Sequence, residues 1–203
     1  MQVTLVDHTQ NPEDKVARYS AICYDADTGE DANARRIKKL LQLGHLATLR
    51  FAYATFLISG ISRTCSHQLV RSKHLDFLQE SQRYVDQSNP SFIVPPAIAQ
   101  DDAARACYAR LQAVSSYTYG HLRSMGIRKE DARFALLEAS PTKLYVTGNF
   151  QAWRDALRLR SDKAAQWEIR EVFELIGNQL CQIAPNVFQE WSSEGTDGKE
   201  KDS

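Results

Sequence analysis

Gln68-Leu-Val-Arg-Ser-Lys-His-Leu-Asp-Phe-Leu-Gln-Glu-Ser-Gln-Arg-Tyr84 is the stretch where this chain concentrates its polar chemistry. Two arginines (Arg71, Arg83), a lysine (Lys73), two amides (Gln68, Gln79) and a hydroxyl (Ser81) are interleaved there with Leu69, Val70, Leu75, Phe77 and Leu78. A guanidinium fork binds phosphate through paired, charge-assisted hydrogen bonds, and amides and hydroxyls read a neutral ring or sugar. That mixture suits a nucleotide better than a bare anion. The bland alternative is a solvated helix face, the default for an arbitrary run of charges.

Working backward from this stretch, Ile61, Cys65 and Leu69 recur every four residues, which predicts a helix starting at Gly60 and Ser62 with one buried stripe. The same period turns Gln68 and Arg71 away from that stripe. After Lys73 the pattern breaks, so His74 to Glu80 reads as a loop, with Gln82 to Val85 extended again. Further back, residues 2–7 alternate as a strand, Asn11-Pro-Glu-Asp opens a helix to about Tyr24, and Asp25 to Asp31 is a turn. Ala32 to Leu43 is an amphipathic helix ended by Gly44, and Phe51 to Ile58 is a half-buried strand with Phe51, Tyr53, Thr55 and Leu57 on one side.

Forward of it, Pro90, Pro95 and Pro96 lead into a long helix from Ala97 to about Met125. Its stripe of Ala104, Cys107, Leu111, Val114, Thr118 and Leu122 reads as a packing face. Lys129 to Leu137 is a short helix, Pro141 breaks the chain, and Leu144 to Thr147 is a strand. Asn149 caps the helix carrying Trp153, Arg154, Leu157, Arg158 and Arg160. Asp162 is placed to cap a last helix from Lys163 to about Ile183, with Trp167, Val172, Phe173, Leu175 and Leu180 as its core face, ended by Pro185. From Ser192 the tail is polar and expected to be disordered. These elements give an α+β fold, a mostly antiparallel sheet packed with helices in a single domain over residues 1–191.

The chain has 203 residues with 25 Lys plus Arg against 25 Asp plus Glu, so no global field draws it to nucleic acid or an anionic membrane. Phosphate recognition must therefore be local. Cys23, Cys65, Cys107 and Cys181 are widely spaced, read as reduced and mostly buried thiols of a cytoplasmic protein. Cys65, His67 and His74 lack zinc-ligand spacing. The opening Met1-Gln-Val-Thr-Leu-Val-Asp7 has no basic region before an apolar core, so no secretory signal is expected, and no apolar run approaches the roughly 20 residues needed to span a bilayer.

Gln68-Leu-Val-Arg71, Lys73, seven further residues and Ser81-Gln-Arg83-Tyr84 resemble the flavin-dependent thymidylate synthase signature Q-x-x-R-H-R, seven residues, S-x-R-Y. The motif's histidine is Ser72 here, its second arginine Lys73, its inner serine Asp76, and its Asn-Glu pair Leu78-Gln79. Arg158-Leu-Arg160 followed by Ala165-Gln-Trp-Glu-Ile-Arg170 resembles the family's second signature, L-R, a few residues, A-Q-x-E-I-R. With His45-Leu-Ala-Thr48 and Ile61-Ser-Arg63, the resemblance runs over most of residues 45–185 in the family's order. Phe51 stands where the family's central strand has a histidine.

The resemblance implies an enzyme converting dUMP to dTMP, with methylenetetrahydrofolate as carbon donor, FAD as cofactor and NADPH as its reductant, in a homotetramer whose sites form at subunit junctions. Carried over by position, Gln68, Arg71, Gln79, Glu80, Ser81, Gln82, Arg83, Lys143 and Arg170 would bind dUMP, and Arg170 would act at the uracil. Arg71, Ser72, Lys73, Arg158 and Arg160 would contact FAD. Read without the family, Arg158 and Arg160 simply favour the negative end of their own helix, and Glu168 with Arg170 make surface ion pairs. The chain has no G-x-G-x-x-G, so a Rossmann cradle is not expected. Two alternatives share the same residues: a relative that methylates or hydroxymethylates another pyrimidine nucleotide, and a nucleic-acid-binding module, which the balanced charge disfavours.

Overall fold

A computed structural model describes residues 1–23 and 30–191. Strand β1 (Gln2–His8) is followed by helices α1 (Pro12–Ala21) and α2 (Glu30–Gln42), a 3-10 segment Leu46–Phe51, strand β2 (Tyr53–Ser62) and helix α3 (Arg63–Leu69). Then come β3 (Leu75–Gln79), α4 (Pro96–Ala99), α5 (Asp102–Ser124), α6 (Lys129–Ala132), a 3-10 turn Arg133–Ala135, β4 (Pro141–Asn149), α7 (Phe150–Arg160), α8 (Trp167–Ile183) and α9 (Pro185–Phe188). The sheet order is β1-β2-β4-β3. Backbone bonds at the strand ends, Thr9 N–H to the Tyr53 carbonyl, Phe150 N–H to Ala52 and Glu80 N–H to Lys143, make each neighbouring pair antiparallel. The fold is α+β, an antiparallel sheet with helices.

The chain gathers into two compact units, one of Met1, Ser59–Gln68 and Leu78–Leu144, the other of Gln2–Ile58, Leu69–Phe77 and the described residues from Tyr145 onward. In the second unit the core is built on β2, where Ala54, Phe56 and Ile58 are fully buried. Trp153 of α7 packs edge-on to Phe56 with centroids 5.1 Å apart, and its indole N–H donates to the Ala54 carbonyl at 3.0 Å. Ile169, Val172, Phe173, Ile176 and Leu180 give α8 its apolar face. Gln179 of the same helix accepts from Leu5 N–H at 2.8 Å and donates to the Val3 carbonyl at 3.0 Å, so the outer edge of β1 is satisfied by a side chain. In the first unit Ile61, Cys65, Tyr119, Ala132 and Leu144 are buried, and Gln87 N–H donates to the Tyr119 hydroxyl at 3.3 Å.

Several sequence expectations shift. Strand β2 runs on to Ser62, so the helix begins at Arg63, although Ile61, Cys65 and Leu69 are all fully buried as the period requires. The face holding Tyr53, Thr55 and Leu57 is the less buried one, and Phe51 belongs to the 3-10 segment. The expected loop at His74 to Glu80 is strand β3, entered through His74 at φ 64°; Gln82 to Tyr84 is a turn rather than extended chain. Burial alternates along its five residues, but Leu78 puts an apolar side chain on the exposed face, which breaks the pattern in the sequence. Pro141 opens β4 instead of breaking it, and α8 starts at Trp167 under a cap from Gln166, whose side chain accepts from Glu168 and Ile169 N–H; Asp162 caps only the turn before it.

Along α5 only Ser115 and Tyr119 are buried, and Cys107, Leu111 and Val114 of the expected packing stripe are exposed. Cys23 is also exposed and Cys181 half-buried, so the thiols are mostly not interior. Trp167 and Leu175 are half-buried, and Glu168 is buried rather than part of a surface pair. Asp31 lies in α2; Tyr24, the rest of the expected turn and the tail from Ser192 lie outside the described residues.

Gly148 of β4 faces the buried Leu75 so closely that an added Cβ would collide with the Leu75 methyl, with the His74 carbonyl and Ala152 Cβ at 3.5 and 3.6 Å behind it. Leu75 cannot swing away without leaving its packed position. Gly148→Ala is expected to lower unfolding free energy by about 1 to 3 kcal/mol, the usual cost of overpacking, read by urea denaturation.

Candidate active site

In the first unit, the antiparallel register of β3 and β4 sets the geometry. Gln79 points inward, and its amide N–H groups donate to the Ser66 hydroxyl at 2.9 Å and the Thr142 hydroxyl at 3.1 Å. Its carbonyl oxygen is the end these bonds leave uncommitted. Arg63 reaches the Glu80 carbonyl at 3.3 Å and the Thr142 hydroxyl at 3.4 Å. Burial pulls the Arg63 guanidinium below its ordinary value against the attraction of Glu138, with Arg133 lowering it further and Glu80 opposing. It still stays charged. On the outer face, Lys143 pairs with the Glu80 carboxylate at 3.4 Å.

The chain then turns. Tyr84 and Val85 N–H donate to the Ser81 carbonyl, and the Ser81 hydroxyl accepts from Arg83 N–H at 3.3 Å, so a serine two residues before the arginine fixes the turn that presents it. Arg83 donates from Nε and Nη2 to Glu130 Oε2, both at 3.3 Å, and Arg128 meets Glu130 Oε1 at 3.0 Å. Arg83, Tyr84, Arg123, Arg128, Lys129 and Glu130 line a cavity of about 260 Å³. Gln82 instead lines a separate, smaller hollow with Arg63, His67, Arg133 and Phe134. Gln68 is half-buried at the end of α3.

In the second unit, Arg71 and Lys73 are exposed, whereas Ser72 is buried with no partner for its hydroxyl among the described residues. His74 continues from them into a cavity of about 440 Å³ lined also by Gly44, Leu46, Ala47, Arg50, Asn149, Gln151, Ala152 and Asp155. That volume falls within the roughly 300–1,000 Å³ of small-molecule sites. Gln151 donates to Asp155 at 2.8 Å, but its own carbonyl oxygen is buried with no partner among the described residues. A buried acceptor without a donor is expensive unless a ligand supplies one. Asn149 caps α7 as expected, accepting from Ala152 N–H at 2.9 Å.

Arg158 and Arg160 occupy the last turn of α7, where the helix dipole favours cations. Arg158 also approaches Glu190 at 3.6 Å and lies over the Trp191 ring, beside the buried Arg154, which holds Glu190 and the Val187 carbonyl. Arg170 is different. It is exposed, without an ion pair among the described residues, in the opening turns of α8, where the dipole disfavours a positive charge. Helix electrostatics explain Arg158; they do not explain Arg170.

The residues without a role in the sequence are Thr142 and Ser66, which hold Gln79; Glu130, which holds Arg83 and Arg128; and Arg50, Gln151 and Asp155 around the larger cavity, where His74, weighed only as a metal ligand, also lies. Only the charge run Arg128-Lys-Glu130 carried a signal, and it reads as an ordinary helix start.

Residues 4–186 match the family model described as thymidylate synthase complementing protein. A flavin-dependent thymidylate synthase of Mycobacteroides abscessus is 34% identical over 171 residues, covering 77% of this chain and 68% of that one. Its counterpart in Mycobacterium avium is 35% identical over 174 residues, covering 78% and 70%. Among solved structures, a UMP/dUMP methylase, PolB from Streptomyces cacaoi bound with 5-Br dUMP, shares the fold with a TM-score of 0.81 at 22% identity, over 93% of each chain. With the family model spanning both signatures, the chain belongs to the flavin-dependent thymidylate synthase family.

Proposed function

We propose that this chain is a cytoplasmic methyltransferase that converts dUMP to dTMP, with methylenetetrahydrofolate as carbon donor and NADPH as reductant. The observation that carries this reading is the β3–β4 register, which gathers Gln79, Glu80, Ser81, Arg83 and Lys143 in one unit with two cations facing outward. Arg83 and Lys143 hold the phosphate, with Ser81 shaping the turn beneath it. Gln79 offers its free carbonyl oxygen, and Gln68, Glu80 and Gln82 of the same unit complete the nucleotide contacts, Arg71 being assigned to the nucleotide by resemblance alone.

FAD supplies the hydride when bound. The residues present fit such a group: the unpartnered Gln151 carbonyl and Ser72 hydroxyl await donors or acceptors, and Arg71 and Lys73 offer charge to a diphosphate. Arg158 and Arg160 add cationic charge from the end of α7, Arg158 after release from Glu190.

The family resemblance assigns Arg170 to the uracil. A guanidinium remains protonated at any working pH and is no base, but it stabilises negative charge developing on the ring and so raises nucleophilicity at the carbon receiving the one-carbon unit. No enzyme nucleophile is required. Burial of Ser72 in place of the motif's histidine favours a second reading, in which altered flavin contacts divert the reaction to hydroxymethylation or to another pyrimidine nucleotide.

We assign the exposed apolar face of α5 to subunit contact in a homotetramer. Leu111 is 49%, Val114 61% and Tyr117 71% exposed along one 23-residue helix, an apolar strip that a subunit contact would cover.

Anaerobic turnover of dUMP with FAD, NADPH and methylenetetrahydrofolate tests the reaction, and mass spectrometry of products from dUMP, dCMP and UMP separates the two readings. Colourless protein that cannot be reconstituted with FAD removes the redox claim. Arg170→Ala is expected to cut turnover about 100- to 1,000-fold, as loss of a charge-stabilising donor does, while flavin absorbance stays. Arg83→Ala should weaken dUMP binding by about 1.5 to 3 kcal/mol, a charged hydrogen bond's share, by calorimetry. Val114→Glu with Leu111→Glu should shift the mass in light scattering from tetramer to smaller species; an unchanged tetramer would rule out this face.

A further inference from the structure

The cavity around Arg83 contains more cationic chemistry than the two signatures assign. Arg83, Arg123, Arg128 and Lys129 line it against a single lining carboxylate, Glu130, with Asp86 nearby, whose carboxyl is held low first by Ser88 hydrogen bonds and then by Lys129 and Arg123. Glu130 spans two guanidinium groups, one oxygen to Arg83 and the other to Arg128, at 3.3 and 3.0 Å. A carboxylate bridging two forks stands where a phosphate's oxygens would stand. Arg123 donates to the Ile127 carbonyl, yet its Nε is buried with no acceptor among the described residues. Lys129 is committed to the Tyr84 carbonyl at 2.8 Å, which fixes the wall of the cavity without filling it.

We propose that Arg128 is a second guanidinium of the phosphate clamp on Arg83, and that the Glu130 carboxylate is its built-in occupant, displaced when a phosphomonoester binds. The proposal rests on the reading that Arg83 takes the phosphate of the substrate. Glu130 then sets the threshold for substrate entry: an anion must outcompete a tethered carboxylate, whereas an uncharged nucleoside gains nothing by doing so. Because Arg83 is about half exposed, the pair is weak enough to be exchanged. Removing the carboxylate leaves the Glu130 backbone carbonyl in place to accept from Arg133, so the α6 turn keeps its tie.

The test is calorimetric titration of the full chain with inorganic phosphate, dUMP and deoxyuridine. Glu130→Gln should tighten phosphate and dUMP about three- to fivefold, the range an exposed ion pair contributes, and leave deoxyuridine unchanged. Glu130→Asp, which withdraws the carboxylate by one methylene, should move both in the same direction and guards against a folding defect in the first variant. Arg128→Ala should weaken phosphate and dUMP together. Weaker or unchanged phosphate binding in both Glu130 variants overturns the proposal, because the carboxylate is then a support for Arg83 and not its competitor. If the wild type binds phosphate with these responses but has no affinity for dUMP, the nucleotide reading fails and the clamp stands.

Discussion

One backbone hydrogen bond, Glu80 N–H to the Lys143 carbonyl at 2.9 Å, holds the register on which the candidate site depends. In an antiparallel pair a slip of one residue sends every side chain to the opposite face. With this register, Gln79 and Thr142 meet inside while Glu80 and Lys143 meet outside. With β3 slipped by one, Gln79 would face outward and lose both hydroxyl partners. The turn at Ser81 inherits its starting point from the same pair, and with it the place of Arg83. Short as it is, β3 is therefore the element that converts a linear motif into a site.

What was legible in the sequence follows from how far each feature depends on local pattern. The burial of Ile61, Cys65 and Leu69, the Gly44 stop and the Asn149 cap depend on neighbours a few residues away, and all three stand, although Ile61 ends up in β2 and not in the helix. Strand β3 reads as loop because its support comes from β4, more than sixty residues on, and Leu78 places an apolar residue on its exposed face. The α5 stripe reads as a packing face, yet Cys107, Leu111 and Val114 of it are exposed while Ala104, Thr118 and Leu122 are half-buried. Periodicity reports which residues avoid water; it does not say whose surface covers them. The signature residues were found by resemblance, and their partners were not. Glu130 and Thr142 carry no pattern of their own and acquire meaning only from what lies opposite them.

The departures from the family signature are not uniform in their surroundings. Lys73 is exposed, so losing the second arginine there gives up a planar fork but keeps the charge. Ser72 is buried, and a small hydroxyl left without a partner replaces a ring that could both donate and accept. Leu78 is 76% exposed on the outer face of β3, an apolar group where the signature has an amide. Gln79 keeps hydrogen-bonding capacity where the signature has a carboxylate, and with it a neutral group beside Arg63, whose charge is already made costly by burial. Two of the changes, at Ser72 and Lys73, fall on residues the resemblance assigns to flavin, and two, at Leu78 and Gln79, fall on β3; Ser81 and Arg83 keep the signature's residues.

Both cations assigned to phosphate, Arg83 and Lys143, are met with a carboxylate already beside them, Glu130 in one case and Glu80 in the other. A cleft of bare cations would bind any anion and would repel itself in the empty state. Tethered carboxylates remove that repulsion and convert phosphate binding from simple attraction into exchange. In an exchange the affinity reflects the difference between two ion pairs, so charge density and the number of oxygens decide the outcome more than net charge does. A doubly charged phosphate bridging several donors wins such a contest, and a singly charged carboxylate metabolite gains little from it. The charge balance of the whole chain is thus repeated locally, each of these two cations having its compensating anion within 3.4 Å.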